Sequence, residues 1–138
     1  MVIIIRKRCI LWIFLTLIIC KSVLHLQCHF GQDSISLAKL GAKVTAVDFS
    51  DKAIEKGKEI AAQMNADVNF ICCDIYNLKS YLNEEFDIVF TSYGTIGWLP
   101  DLDKWASIIK SFLKGYLICE SSLFRTRKAG LGSAFLYA

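Results

Sequence analysis

Val23-Leu24-His25-Leu26, then Gln27-Cys28-His29-Phe30-Gly31, then Asp33 to Leu40 with Gly41 behind it, reads as strand, loop and helix. The first segment is a short apolar run, the helix carries apolar residues at helical spacing, and glycine is a common helix stop. Lys43-Val44-Thr45-Ala46-Val47 follows as a second strand, rich enough in β-branched residues to prefer an extended chain. Ser50 is placed to cap the next helix, where Ala53, Ile54, Gly57, Ile60, Ala61 and Met64 form one stripe to bury. Val68 to Cys72 is a third strand and Phe86 to Thr91 a fourth. Pro100-Asp101 opens a helix whose Leu102, Trp105, Ile108, Ile109 and Phe112 share a face; Gly115 is read as its end and Tyr116 to Cys119 as a fifth strand. Strand–helix alternation of this kind implies right-handed βαβ units and a parallel sheet. The fold class is α/β.

Length and composition agree with one core. The chain has 138 residues, 54% hydrophobic and 21% charged, which excludes an intrinsically disordered chain. A formal charge of +3 is too small to imply a nucleic-acid partner. Six cysteines at irregular spacings fail the pattern of a secreted disulfide scaffold.

The sequence divides into residues 1–20, a core from 21 to 120, and a tail from 121 to 138. In the first part Arg6-Lys7-Arg8 precedes an uncharged run from Cys9 to Cys20, the order of a secretory signal. That run is shorter than the roughly 20 apolar residues of a membrane span, and Ile19-Cys20-Lys21-Ser22 is a poor cleavage site. A signal, a membrane anchor, an apolar element lying on the domain or sequence extraneous to the fold are the readings open there. The tail carries Arg125, Arg127 and Lys128 without helical or alternating periodicity, and reads as a short solvated basic cluster.

In an open parallel sheet the ligand crevice lies outside the carboxyl ends of the strands. Gln27 to Gly31 follow the first strand and lead into a helix N-terminus, which favours an anionic group. Asp48 follows the second strand, where an acid can accept from both hydroxyls of a ribose. Asp74 follows the third strand, and Ser92-Tyr93-Gly94 the fourth. Each acid has a bland role as a turn cap, but the two together at strand ends suggest a nucleoside site. A dinucleotide fingerprint is absent because the loop holds only Gly31, and no Gly-Lys-Ser/Thr of a P-loop occurs. Cys28, Cys72 and Cys73 with the histidines make a poor zinc set, since no C-x-x-C occurs and neighbouring residues of a strand face opposite ways.

These residues resemble a known family. Val23 to Gly31, Val47-Asp48-Phe49-Ser50, Cys73-Asp74, Phe86 to Gly94 and Gly97-Trp98-Leu99-Pro100-Asp101 are similar to class I S-adenosylmethionine-dependent methyltransferases. The likeness is nearest to a bacterial subgroup with a His-Leu-Gln-Cys-His-Phe-Gly loop. It implies a Rossmann-like, doubly wound, mostly parallel sheet that binds S-adenosyl-L-methionine and transfers its methyl group to a small-molecule acceptor in the cytoplasm. By position, Gln27, His29 and Gly31 would border the methionine portion. Asp48 would hold the ribose, Phe49 would flank the adenosine, and Asp74 with Ile75 would address the adenine. Ser92 would face the sulfonium end, and Tyr93 and Trp98 would meet the acceptor. No catalytic acid–base residue and no metal is implied.

Departures from the family are specific. His25 stands where the family carries an acid, and Gln27 and His29 replace two glycines of the loop. Lys114-Gly115 stands for a Pro-Gly-Gly turn, and no hairpin follows the fifth strand. The expectation is an incomplete methyltransferase fold of strands one to five, with an open sheet edge inviting self-association. The alternatives are a catalytically inactive fragment, or a form associated with a membrane through residues 1–20.

Overall fold

The computed structural model describes residues 2–3, 18–92 and 96–119. One sheet contains β1 (Val2–Ile3), β2 (Ser22–Leu26), β3 (Lys43–Asp48), β4 (Val68–Cys72), β5 (Phe86–Thr91) and β6 (Leu113–Cys119). Helices α1 (Gln32–Lys39), α2 (Asp51–Gln63) and α3 (Leu102–Phe112) join successive strands. The order across the sheet is β1-β6-β5-β2-β3-β4, and every pairing is parallel. From β2 the chain first adds β3 and β4 on one side, then returns to pair β5 on the other. The topological switch therefore falls between β2 and β5, and the doubly wound α/β expectation holds.

Alternation along the strands decides which helix covers which face. Val23, Val44, Ile88 and Phe90 pack with Leu37 of α1, and Ala46 and Phe70 pack with Ile35 of α1 and Ile54 and Ala61 of α2. Leu24, Leu26, Val47, Val89 and Leu117 point the other way, onto Trp105, Ile108, Ile109 and Phe112 of α3. Burial on both faces explains why these strands read as nearly continuous apolar runs. Ser50 caps α2 as the sequence suggests, its Oγ accepting from Ala53 N–H at 3.3 Å, and Asp101 caps α3, its Oδ1 accepting from Lys104 N–H at 2.9 Å. Two stripe residues stay out of the core, since Met64 and Leu102 are each 50% exposed.

Gly115 does not end a helix. The chain passes from Phe112 straight into β6, with Leu113 already extended at φ −93° and ψ 116°. Gly115 lies inside that strand, where a Cβ would sit 2.5 Å from the Asp87 carbonyl oxygen. The β5–β6 register shifts there, between Phe86 and Ile88. The glycine serves a close backbone approach, which periodicity alone does not distinguish from a helix stop.

The edge expected to be open carries β1, whose Val2 and Ile3 pair with Leu117 and Ile118, so it is not bare along those residues. Ile18 is buried beside Val23 and Leu37. No described helix is long and apolar enough to cross a membrane. Residues 4–17 and 120–138, on which the signal, tether and tail readings fall, lie outside the described residues.

At the amino ends of β2 and β5, Asp87 Oδ2 accepts from Ser22 N–H at 3.0 Å and from Ser22 Oγ at 3.1 Å. Ser22 Oγ in turn accepts from Asp87 N–H at 3.0 Å. The bond from the Ser22 backbone N–H is the main cause that holds the Asp87 carboxyl below its ordinary range. This clip fixes β2 against β5 at the end opposite to the switch-point crevice.

Candidate functional site

Three strand ends meet at one cavity of about 200 Å³, lined by Gln27, Val47, Asp48, Phe49, Cys73, Asp74, Ile75, Tyr76, Trp98 and Leu99. Gln27 follows β2, Asp48 closes β3, and Asp74 follows β4, so the parallel register brings the candidate residues to a common rim. A cavity this size is smaller than the roughly 300–1,000 Å³ that encloses a drug-sized ligand. It suits one moiety of such a ligand, with the remainder outside it.

Asp48 is the joint of the site. It is buried, with Oδ2 accepting from His29 N–H at 2.8 Å and Oδ1 from Ser50 N–H at 2.9 Å. Cys28 N–H donates to the Val47 carbonyl at 2.9 Å, and Cys73 N–H to the Asp48 carbonyl at 3.0 Å. One carboxylate thus ties the β2 loop to the end of β3 while its remaining lone pairs stay available to hydroxyl donors. Asp74 has the capping role open to it, since its Oδ1 accepts from Tyr76 N–H at 2.9 Å and starts a 3-10 helix over Ile75–Ser80. It also lines the cavity, so the cap and the site coincide.

The loop keeps a glycine-like backbone without glycines. Gln27, His29 and Gly31 have φ of 56°, 54° and 68°. Only glycine adopts that region freely. A Cβ at Gly31 would come within 2.6 Å of the Phe70 ring, so glycine is required at that position by contact as well as by φ. His29 is exposed, with its ring 3.8 Å from that of Phe30. Replacing His29 by glycine is expected to stabilise the chain by about 0.5–1 kcal/mol, the left-handed penalty less the extra entropy of glycine. A urea midpoint no higher than that of the parent would show that the loop carries no such strain.

His25, where the family resemblance implies an acid, does not line the cavity. It is fully buried, its Nδ1 lies 2.6 Å from Ser34 Oγ of α1, and its ring centroid is 4.5 Å from that of Phe90. Burial pushes its pKa down to about 3, so the imidazole is neutral at pH 7. Cys28 is pushed up to about 12, chiefly by burial and then by the charge of Asp48. Burial is also the first cause that raises Cys73. Neither thiol is a thiolate at neutral pH, and the thiolate is the nucleophilic form. Among the described residues no group of His, Cys, Asp and Glu is arranged to hold a metal.

Of the residues nominated from sequence, Gln27, Asp48, Phe49, Asp74, Ile75 and Trp98 line the cavity. His29 and Gly31 act beside it through the backbone, and Ser92 follows β5 without lining it. Tyr93 lies outside the described residues. Val47, Cys73, Tyr76 and Leu99 also line it and were not nominated. Each adjoins a nominated residue in sequence, which is the signal that finds them.

The methyltransferase-domain family model matches residues 23–115. A ubiquinone biosynthesis O-methyltransferase of Coxiella burnetii is 34% identical over 112 residues, covering 80% of this chain and 47% of the relative. The crystal structure of the PH0226 protein from Pyrococcus horikoshii superposes with a TM-score of 0.69 at 29% identity, over 77% of this chain and 51% of that one. Magnesium protoporphyrin IX methyltransferase from Synechocystis, with bound SAM, shares the fold with a TM-score of 0.62 at 22% identity, over 70% of this chain and 47% of its own. The chain spans about half the length of these relatives.

Proposed function

This chain belongs to the methyltransferase-domain family, and on that premise we propose that it binds S-adenosyl-L-methionine at the Asp48–Asp74 cavity for methyl transfer to a small-molecule acceptor. The observation that carries the reading is the convergence of Asp48, Phe49, Asp74 and Ile75, from the ends of two neighbouring strands, on one cavity. The residues fit the ligand. Asp48 offers acceptors for ribose hydroxyls, Val47, Phe49, Ile75 and Leu99 offer apolar walls for a flat base, and Asp74 offers a carboxylate for an exocyclic amine. Gln27 Oε1 is buried without a partner among the described residues, an acceptor in want of a donor at the cavity wall.

When bound, the cofactor supplies a methyl carbon already activated by positive sulfur. The protein's part is then orientation and exclusion of water, and no acid–base pair is needed for the displacement itself. The β2 loop, held by His29 N–H on Asp48, would hold the methionine arm. Ser92, at the end of β5 beside the switch point, would border the sulfonium. An acceptor of small size accords with the ubiquinone-pathway relative. The free cysteines of the described residues, Cys20, Cys28, Cys72 and Cys73, suit a reducing cytoplasm.

The test is calorimetric titration of residues 1–138 with S-adenosylmethionine and S-adenosylhomocysteine, beside Asp48→Ala and Asp48→Asn. The parent binds both, and each substitution weakens binding about 10- to 100-fold, the range for loss of hydrogen bonds to a charged group. A folded parent chain that binds neither ligand refutes the reading.

A further inference from the structure

Trp98 is the least covered large apolar side chain of the described residues at 88% exposure, and Phe49 follows at 79%. Both line the cavity, and they reach it from different elements: Phe49 from the end of β3, and Trp98 from the 3-10 turn Ile96–Trp98 that follows β5. Asp74, Ile75 and Tyr76 line the same cavity from the end of β4. Ser92, at the mouth of β5 where an acceptor would approach, is not among the lining residues.

The segment carrying Trp98 is fastened to the β4 side. Tyr76 Oη donates to the Asp101 carbonyl at 3.0 Å and accepts from Asp101 N–H at 3.2 Å. The Lys104 ammonium lies 4.9 Å from the centre of the Tyr76 ring. Asp101 Oδ1, by accepting from Lys104 N–H, fixes the start of α3 at the same point. Tyr76 therefore links the cavity wall beside Asp74 to the chain only three residues beyond Trp98. That linkage holds the segment carrying Trp98 beside the cavity wall formed by Asp74, Ile75 and Tyr76.

We propose that Trp98 is a base-binding residue: with Phe49 it provides the aromatic surfaces on which the purine of a nucleoside ligand stacks, and Tyr76 positions it there. The assignment rests on the nucleoside reading above and moves Trp98 from acceptor contact to the base. A flat heterocycle placed between the two rings covers apolar surface that is otherwise in water, and aromatic stacking adds to that gain.

The experiment is calorimetry of the full chain with adenosine and with S-adenosylhomocysteine, on the parent, Trp98→Ala and Trp98→Phe, with emission spectra recorded alongside. Adenosine lacks the amino-acid arm, so it isolates the base and ribose. Trp98→Ala is expected to weaken both ligands by about 5- to 150-fold, the span of base–aromatic stacking, while Trp98→Phe stays within about threefold of the parent. Ligand is expected to shift the parent's tryptophan emission to shorter wavelength, and Trp98→Phe is expected to lose that shift. Because Trp98 is exposed, both variants should melt with the parent, and Trp98→Phe keeps the test sound if Trp98→Ala does not. A parent that binds, with Trp98→Ala binding equally well, overturns the Trp98 assignment and leaves the nucleoside reading standing. A parent that binds neither ligand ends both.

Discussion

Lowering the pH from 7 to 4.5 is expected to remove about 3 kcal/mol of folding stability through His25 alone. His25 is fully buried, and its Nε2 has no partner among the described residues while Nδ1 meets Ser34. Its folded pKa of about 3 lies below the ordinary 6.5, with burial as the cause. The unfolded chain therefore takes up the proton first. The contribution is fully present above pH 6.5 and declines by about 1.4 kcal/mol per pH unit on the way down to the folded value. Asp87, whose pKa is also lowered, adds its own loss only below the ordinary carboxylate value of 3.8, so the two regions separate. The control is the double variant His25→Leu/Ser34→Ala, which removes both polar partners together and avoids leaving one buried and unpaired. Urea titrations at the two pH values should show the acid loss in the parent and little of it in the double variant. Equal losses in both would mean that His25 is not the titrating group.

That result bears on how much the sequence reveals. The strand–helix alternation was legible because strands buried on both faces and helices with one apolar stripe have different periods. So were Asp48 and Asp74, because strand carboxyl ends in a parallel sheet converge and the sequence marks those ends; Phe49 and Ile75 follow only from the family resemblance. What was not legible depends on contacts distant in sequence. His25 sits on the α1 side of β2, which follows from strand parity once α1 is known to cover that face. Its pairing with Ser34 needs the packed helix. Gly115 looked like a helix stop because a glycine after an apolar stripe usually is one, whereas its cause is the Asp87 carbonyl across the β5–β6 pair. The acceptor role of Trp98 is an expectation from the resemblance, and the Tyr76–Asp101 hydrogen bonds that fasten the chain beyond Trp98 to the β4 side have no local signature.

Substituting Gly31 by alanine is expected to cost about 2–5 kcal/mol. One part is the penalty of an L side chain at φ 68°, about 1–2 kcal/mol. The other is overpacking, since the new Cβ would lie 2.6 and 2.9 Å from Phe70 Cε1 and Cζ, worth about 1–3 kcal/mol in a filled core. A Cβ at Gly57 of α2 would meet the same ring atoms, Cε1 at 2.8 Å and Cζ at 3.1 Å, and also the Phe30 carbonyl oxygen at 3.0 Å. There φ is helical and alanine gains about 1 kcal/mol of propensity, so Gly57→Ala should be the milder change. The Phe70 ring edge thus meets both the loop and α2, and the two costs share it. In a Phe70→Leu background the overpacking part of Gly31→Ala should shrink and leave mainly the dihedral penalty. The double-mutant coupling should then be about 1 kcal/mol or more. The loop that Gly31 closes also delivers His29 N–H to Asp48, so Gly31→Ala should weaken S-adenosylhomocysteine binding even where the variant remains folded. A Gly31→Ala chain that melts and binds with the parent would mean that the loop does not depend on this glycine, and that Asp48 is held by β3 alone.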